Sequence, residues 1–182
     1  TQQALANMFK VNIETIKKAD KCLLPGVGSF DHGINSLKNA PFFETLEKEV
    51  LENKKPILGI CLGMQLLTNS SEEGKEKGLG WIDAQTIKFD LEDMSLSIPH
   101  MGWNKTNPTN TNDVFKNLED NRFYFVHSYH VVCNNEKNIL ASSYYGQTFT
   151  CSIYKENIYG VQFHPEKSHK FGMQLLKNFG EM

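Results

Sequence analysis

No stretch of this 182-residue chain approaches the roughly 20 consecutive apolar residues that a membrane-crossing helix needs. Its opening, "TQQALANMFK", also lacks the basic start and apolar centre of a secretory signal. Excess charge of one sign is missing too. With 19 basic and 21 acidic side chains the formal net charge is −2, which gives no electrostatic reason to bind nucleic acid or an anionic membrane. Cysteine is scarce, and Cys22, Cys61, Cys133 and Cys151 form no Cys-x-x-Cys pair and no zinc-like spacing. Neither a disulfide framework nor a metal site is expected from such spacing, and the reading is a protein of the reducing cytoplasm. The phosphate-binding patterns Gly-x-x-x-x-Gly-Lys-Ser/Thr and Gly-x-Gly-x-x-Gly are both unmatched. There is no internal repeat and no low-complexity tract.

What is present is 40% hydrophobic residues, enough for a sizeable core, so residues 1–182 are read as one domain. "KCLLP" (21–25) and "KPILGI" (55–60) read as short buried strands. "SLKNAPFFETLEKEVLEN" (36–53) has helical spacing at Phe42, Phe43, Leu46, Val50 and Leu51, with Pro41 inside it. "LGMQLLTNS" (62–70) reads as a helix, and the glycine-rich "NSSEEGKEKGLG" (69–80) as a surface loop. In the second half, "AQTIKF", "RFYFVHSYHVVC", "NILASSYY", "TFTCSIY" and "IYGVQFH" are rich in β-branched and aromatic residues and predict five strands. Turn signals lie at Asn104–Asn112, Asn134–Lys137, Gly146 and Lys155–Asn157, and "KFGMQLLKNF" (170–179) predicts a closing helix. The fold class is α/β: a mixed sheet with helices on both faces.

Three segments carry chemistry. In "LGICLGMQLL" (58–67), Cys61 lies between Gly59 and Gly63 at a strand-to-helix junction. A nucleophile on such a turn projects clear of the sheet, and glycines relieve the crowding. The helix that follows would favour the thiolate and aim the Leu62 N–H at a developing oxyanion. A core cysteine between two packing glycines is the plain alternative. In "GVQFHPEKS" (160–168), Val161 and Phe163 would face one side of a strand that His164 ends. His164 and Glu166 are two apart, so in extended chain they leave the same side, and a carboxylate beside an imidazole fixes its tautomer. A strand-end histidine with a solvated glutamate would look the same. In "PGVGSF" (25–30), Gly26, Val27 and Gly28 expose backbone N–H groups able to hold an anion, although an ordinary glycine turn would read alike.

These segments, with "PHMGWN" and "FYFVHSY" and in the order in which they occur, resemble the class I (triad) glutamine amidotransferases. Within that family the resemblance is to the glutaminase subunits that serve imidazole glycerol phosphate synthase. It implies a flavodoxin-like mixed sheet, and hydrolysis of L-glutamine to glutamate and ammonia without a cofactor. The ammonia would pass to a synthase (cyclase) subunit in a heterodimer. The resemblance implies Cys61 as nucleophile, His164 as base and then acid, and Glu166 as the residue orienting His164. It implies an oxyanion hole from the N–H groups of Leu62 and the Gly26–Gly28 loop, and a substrate pocket holding Gln65, Ser128 and Tyr129. Trp103, Asn104, Tyr124 and Lys167 would face the partner. Two departures stand out. The chain opens where the family would be in the middle of its first helix, so an N-terminal strand is missing from the sequence. "HSYHVV" and "KSHKFGM" also resemble glutaminase subunits paired with an N-acetyl sugar amidotransferase of surface polysaccharide synthesis. A silent partner-binding module and a cysteine peptidase of similar topology are the readings from other classes.

Overall fold

The computed structural model describes residues 11–93, 95–109, 113–118 and 120–182. The expectation about the opening helix therefore lies largely outside the described residues. The first described element is α1 (Ile13–Lys18), closed by a capping box in which Asn12 Oδ1 accepts from Thr15 N and Thr15 Oγ1 accepts from Asn12 N. Strand β1 (Cys22–Gly26) follows, then α2 (Phe30–Lys38) and α3 (Phe43–Leu51). The helical pattern of 36–53 is thus two helices. Ala40 N still bonds to Leu37 O, but Pro41 has no N–H to offer, and the chain turns before restarting.

Strand β2 (Ile57–Cys61) runs directly into α4 (Leu62–Leu66), only five residues where the sequence suggested nine. It stops early because Thr68 Oγ1 bonds back to Gln65 O and the chain then pairs as β3 (Ser70–Ser71). Next come β4 (Ala84–Lys88), β5 (His100–Lys105) and the short β6 (Asn107–Pro108). After them lie β7 (Arg122–His127), β8 (Tyr129–Cys133), β9 (Ile139–Tyr145), β10 (Gln147–Lys155) and β11 (Ile158–Val161). The chain closes with α5 (His169–Glu181).

The main sheet has the order β1-β2-β11-β10-β8-β4-β3, with β9 on β10 and β6 on β9. Strands β1, β2 and β11 are mutually parallel, and β10, β8 and β4 continue antiparallel. Two expectations are corrected here. "RFYFVHSYHVVC" is two strands in two sheets, because the chain bends at Ser128: β7 pairs with β5 alone, while β8 stays in the main sheet. Trp103 and Asn104, placed near a turn by the sequence, sit inside β5.

The period-2 alternation of the parallel strands divides the core. Ile57, Ile153 and Ile158 face α1–α4 with Phe30, Ile34 and Val50. Leu58, Ile60, Tyr159 and Val161 face the opposite way, onto α5 and the β5–β7 ribbon, with Phe123, Phe125, Phe163 and Leu175. Helices therefore cover both faces, with the ribbon completing the second. Each fully buried Phe or Ile contributes about 1.5–3 kcal/mol.

Candidate active site

The register Gly26↔Cys61 on one side of β2 and Val161↔Ile60 on the other brings three carboxyl ends of parallel strands side by side. In open α/β sheets this edge is where ligands bind, since the loops leaving it diverge and their backbone groups are unpaired. The β1 exit carries Val27 and Gly28, the β2 exit carries Cys61, and the β11 exit carries His164.

Cys61 has φ 55° and ψ −113°, in the region that side-chain-bearing residues rarely occupy. The chain reverses sharply there, so α4 folds back over β1 and β2. That packing explains the flanking glycines. A Cβ on Gly63 would lie 1.7 Å from Leu24 O, and one on Gly59 would lie 2.7 Å from Gly63 O. The glycines thus serve close packing, and that packing is what forces the turn. With α4 only five residues long its dipole is small, and what remains of the expected helix effect is the unpaired first turn at Leu62.

His164 is held from three sides. Its N–H donates to Tyr124 O (2.9 Å), its carbonyl accepts from Ser168 Oγ (2.6 Å), and its Nδ1 meets Glu166 Oε1 at 2.7 Å. The route to that last contact differs from the expected one. The chain leaves the extended conformation at Pro165, and a 3₁₀ turn over Pro165–Lys167 swings Glu166 back onto the ring. Ser168, fully buried, also accepts from Tyr124 N (2.9 Å), tying this turn to β7. Interaction with Cys61, and next with Glu166, lifts the His164 pKa to about 9 against the opposing effect of burial. Burial pushes the half-exposed Glu166 upward, but the His164 hydrogen bond, a backbone hydrogen bond and the nearby positive charges together outweigh it, and the carboxyl lies below its ordinary value. The second ring nitrogen, Nε2, is buried and has no hydrogen-bond partner.

Cys61 and His164 share a cavity of about 370 Å³ with Val27, Gly28, Leu62, Gln65, Ser128, Tyr129 and Lys167. This is the size of small-molecule sites, roughly 300–1,000 Å³. Glu166 stands behind His164 and does not line it, and Gly26 belongs to β1, beneath Leu62 and Gly63. Gln65 Nε2 donates to Gln162 Oε1 (3.0 Å) and reaches Tyr129 O at 3.4 Å. Of the residues expected to face a partner, Trp103 is 46% exposed and stacks on His169 with ring centroids 5.5 Å apart. Tyr124 lies edge-on to Trp103 and under Lys167 Nζ, 6.0 Å from the ring centroid. Asn104 is turned inward: its amide donates to Tyr144 O (2.8 Å) and its Oδ1 accepts from Lys105 N.

Sequence reasoning missed two residues. Gln162, with no exposed surface, lies 3.8 Å from Cys61 Sγ through its Nε2. Its signal was a polar residue inside an apolar strand, two before His164. Glu73 adds a carboxylate to the cavity wall and caps the start of α2 by accepting from Phe30 N (2.7 Å). Nothing in its glycine-rich segment distinguished it.

A class-I glutamine amidotransferase family model matches residues 3–182. Imidazole glycerol phosphate synthase subunit HisH 2 of Methanococcus maripaludis is 58% identical over 167 residues, 91% of this chain and 82% of that one. The HisH subunit of Leptospira borgpetersenii is 48% identical over 172 residues, 93% of this chain and 84% of its own. Among solved structures, a putative GMP synthase subunit from Thermoplasma acidophilum superposes with a TM-score of 0.65 at 22% identity, over 93% of this chain and 75% of that one. Matched from its third residue to its last, and folded as its structural neighbours are, this chain belongs to the class-I glutamine amidotransferases.

Proposed function

We propose that this chain is the glutaminase subunit of an imidazole glycerol phosphate synthase, a cytoplasmic single-domain enzyme that hydrolyses L-glutamine and hands ammonia to a cyclase partner. The observation that carries the chemistry is His164, hydrogen-bonded to Glu166 and facing the same cavity as Cys61, whose interaction raises the His164 pKa. The relatives' names, each a HisH subunit, carry the pathway. Four free cysteines fit a reducing compartment, and among the described residues no helix is long and apolar enough to cross a membrane.

In this reading His164 takes the Cys61 proton, and the sulfur attacks the glutamine carboxamide carbon. The tetrahedral oxyanion is held by the Leu62 N–H and by an N–H of the Val27–Gly28 loop. His164 returns the proton to the departing nitrogen, ammonia leaves, and a thioester remains. Water, deprotonated by His164, attacks the thioester, the Cys61 sulfur departs and recovers its proton, and glutamate is released. Glu166 keeps Nδ1 protonated, so that Nε2 is the nitrogen that faces Cys61. Gln65, Ser128 and Tyr129 hold the substrate, and Glu73 adds the negative charge that an α-ammonium pairs with. Ammonia released into water protonates and is lost as a nucleophile, so the exit belongs at the face covered by the partner, around Trp103, Tyr124 and Lys167. Asn104, with its amide turned inward, supports that face from beneath.

The test is glutamine-dependent ammonia release by the full-length protein with its cyclase subunit. Cys61→Ala should lower the rate at least about a thousandfold. A rate equal to the parent's sinks the assignment. Co-purification from the native source should recover a cyclase that makes imidazole glycerol phosphate. A sugar amidotransferase in its place overturns the pathway and leaves the glutaminase chemistry standing.

A further inference from the structure

We propose that His127 and His100 are positioning residues of the glutaminase site, a one-directional hydrogen-bond chain that fixes the Tyr129 carbonyl in the cavity wall. This rests on the proposed glutaminase reading and adds to it two side chains with no part in the bond-breaking steps.

The chain's direction follows from its ends. His127 Nδ1 lies 2.8 Å from Tyr129 O, and a carbonyl only accepts, so Nδ1 carries the hydrogen and Nε2 is an acceptor. His100 Nδ1, 3.0 Å from that Nε2, must therefore donate, which leaves His100 Nε2 to accept. Asn104 Nδ2, at 3.3 Å, supplies that hydrogen. Its orientation is fixed independently, because the same amide nitrogen donates to Tyr144 O and its oxygen accepts from Lys105 N. Every step agrees from both ends. A proton added to either ring would set two N–H groups against each other. Burial accordingly holds His100 at about 4 and His127 at about 3, so both rings are neutral at physiological pH.

The surroundings make a purely structural role a poor explanation. Phe89, Phe125 and Phe149 pack around these rings, with centroids between 4.9 and 6.5 Å away. Such a box would accept phenylalanines in place of both histidines at little desolvation cost, whereas two buried imidazoles need every nitrogen satisfied. What the imidazoles provide is the end of the chain. Tyr129 O is also the group that Gln65 Nε2 approaches at 3.4 Å, and Gln65, Tyr129 and His127 all line the cavity that holds Cys61. His127 thus holds the backbone against which the substrate-binding glutamine is set.

The test exploits the reach of amide side chains. An asparagine amide nitrogen stands where histidine Nδ1 does, and a glutamine amide nitrogen where Nε2 does. In the full-length protein with its cyclase subunit, His127→Gln and His127→Phe should raise KM for L-glutamine about tenfold with kcat nearly unchanged. His127→Asn, which still donates to Tyr129 O, should recover most of that loss. Thermal unfolding should place Phe lowest, because it leaves both Tyr129 O and His100 Nδ1–H unpaired, so that Phe and Gln differ in stability while sharing the same raised KM. Equal KM for the Asn and Gln variants, or a parental KM for Phe, overturns the proposal. Should the Phe variant fail to fold, the Asn–Gln comparison decides alone. A parent complex that hydrolyses no glutamine overturns the glutaminase reading, and this inference with it.

Discussion

Cys61 occupies a backbone conformation that destabilises the native state by about 1–3 kcal/mol, and it persists because α4 is pinned to β1 by contacts no side chain could share. The histidines near it titrate in opposite directions. His164 has its folded pKa raised from 6.5 to about 9, so its contribution to stability is fully present below pH 6.5 and is lost as pH rises through 9. The melting temperature of the parent should exceed that of His164→Gln most at pH 6, and the gap should close by about pH 9.5. A gap that widens with pH would contradict the imidazolium between Cys61 and Glu166. His100 and His127 are depressed to about 4 and about 3, so the unfolded chain binds more protons below pH 6.5 and stability falls on acidification. Between pH 7 and 5 the parent should lose stability faster than His127→Phe, as urea midpoints would record.

Among the elements, α4 matters most and is the shortest α-helix of the described residues. It is placed by backbone contact, so Gly63→Ala, whose methyl would fall 1.7 Å from Leu24 O, should destabilise by at least about 2 kcal/mol and misplace Cys61. Gly180→Ala is the matched control. It lies in α5 with nothing within 4 Å of its Cβ, and should stabilise by about 0.5–1 kcal/mol through helix propensity. Chemical denaturation of the two variants separates close packing from propensity. Strands were the elements hardest to read. The aromatic run at 122–133 fits the strand pattern throughout, and nothing local marks Ser128 as the point where it passes from one sheet to another. Sheet membership is decided by which partner strand is at hand, and that is not a property of the run itself.

At the scale of the whole molecule, the β5–β7 ribbon leaves Met101 and Trp103 exposed, at 61% and 46%, with Ile98 just before it at 39%. Neighbouring apolar side chains left in water mark an interaction surface. Met101→Asp, a change at an exposed site, should leave stability within about 0.5 kcal/mol of the parent. The same change should weaken association with the proposed cyclase partner at least tenfold, read by titration calorimetry. Undiminished affinity would move the interface elsewhere.

By itself the sequence determined the α/β class, the strand–cysteine–helix unit and the pairing of His164 with Glu166, because each is written in residues close together in the chain. A glycine-flanked cysteine, an apolar period and a carboxylate two residues from an imidazole are legible one segment at a time, although a 3₁₀ turn and not the extended chain makes the last contact. The cavity is different. Cys61 and His164 are more than a hundred residues apart, and only the parallel register of β1, β2 and β11 brings their exits together. Glu73 and the chain from Asn104 through His100 and His127 to Tyr129 were invisible for the same reason, and Gln162 showed only as a polar residue in an apolar run. A hydrogen bond requires two groups within about 3 Å, and which distant residues come that close is settled only when the sheets pack.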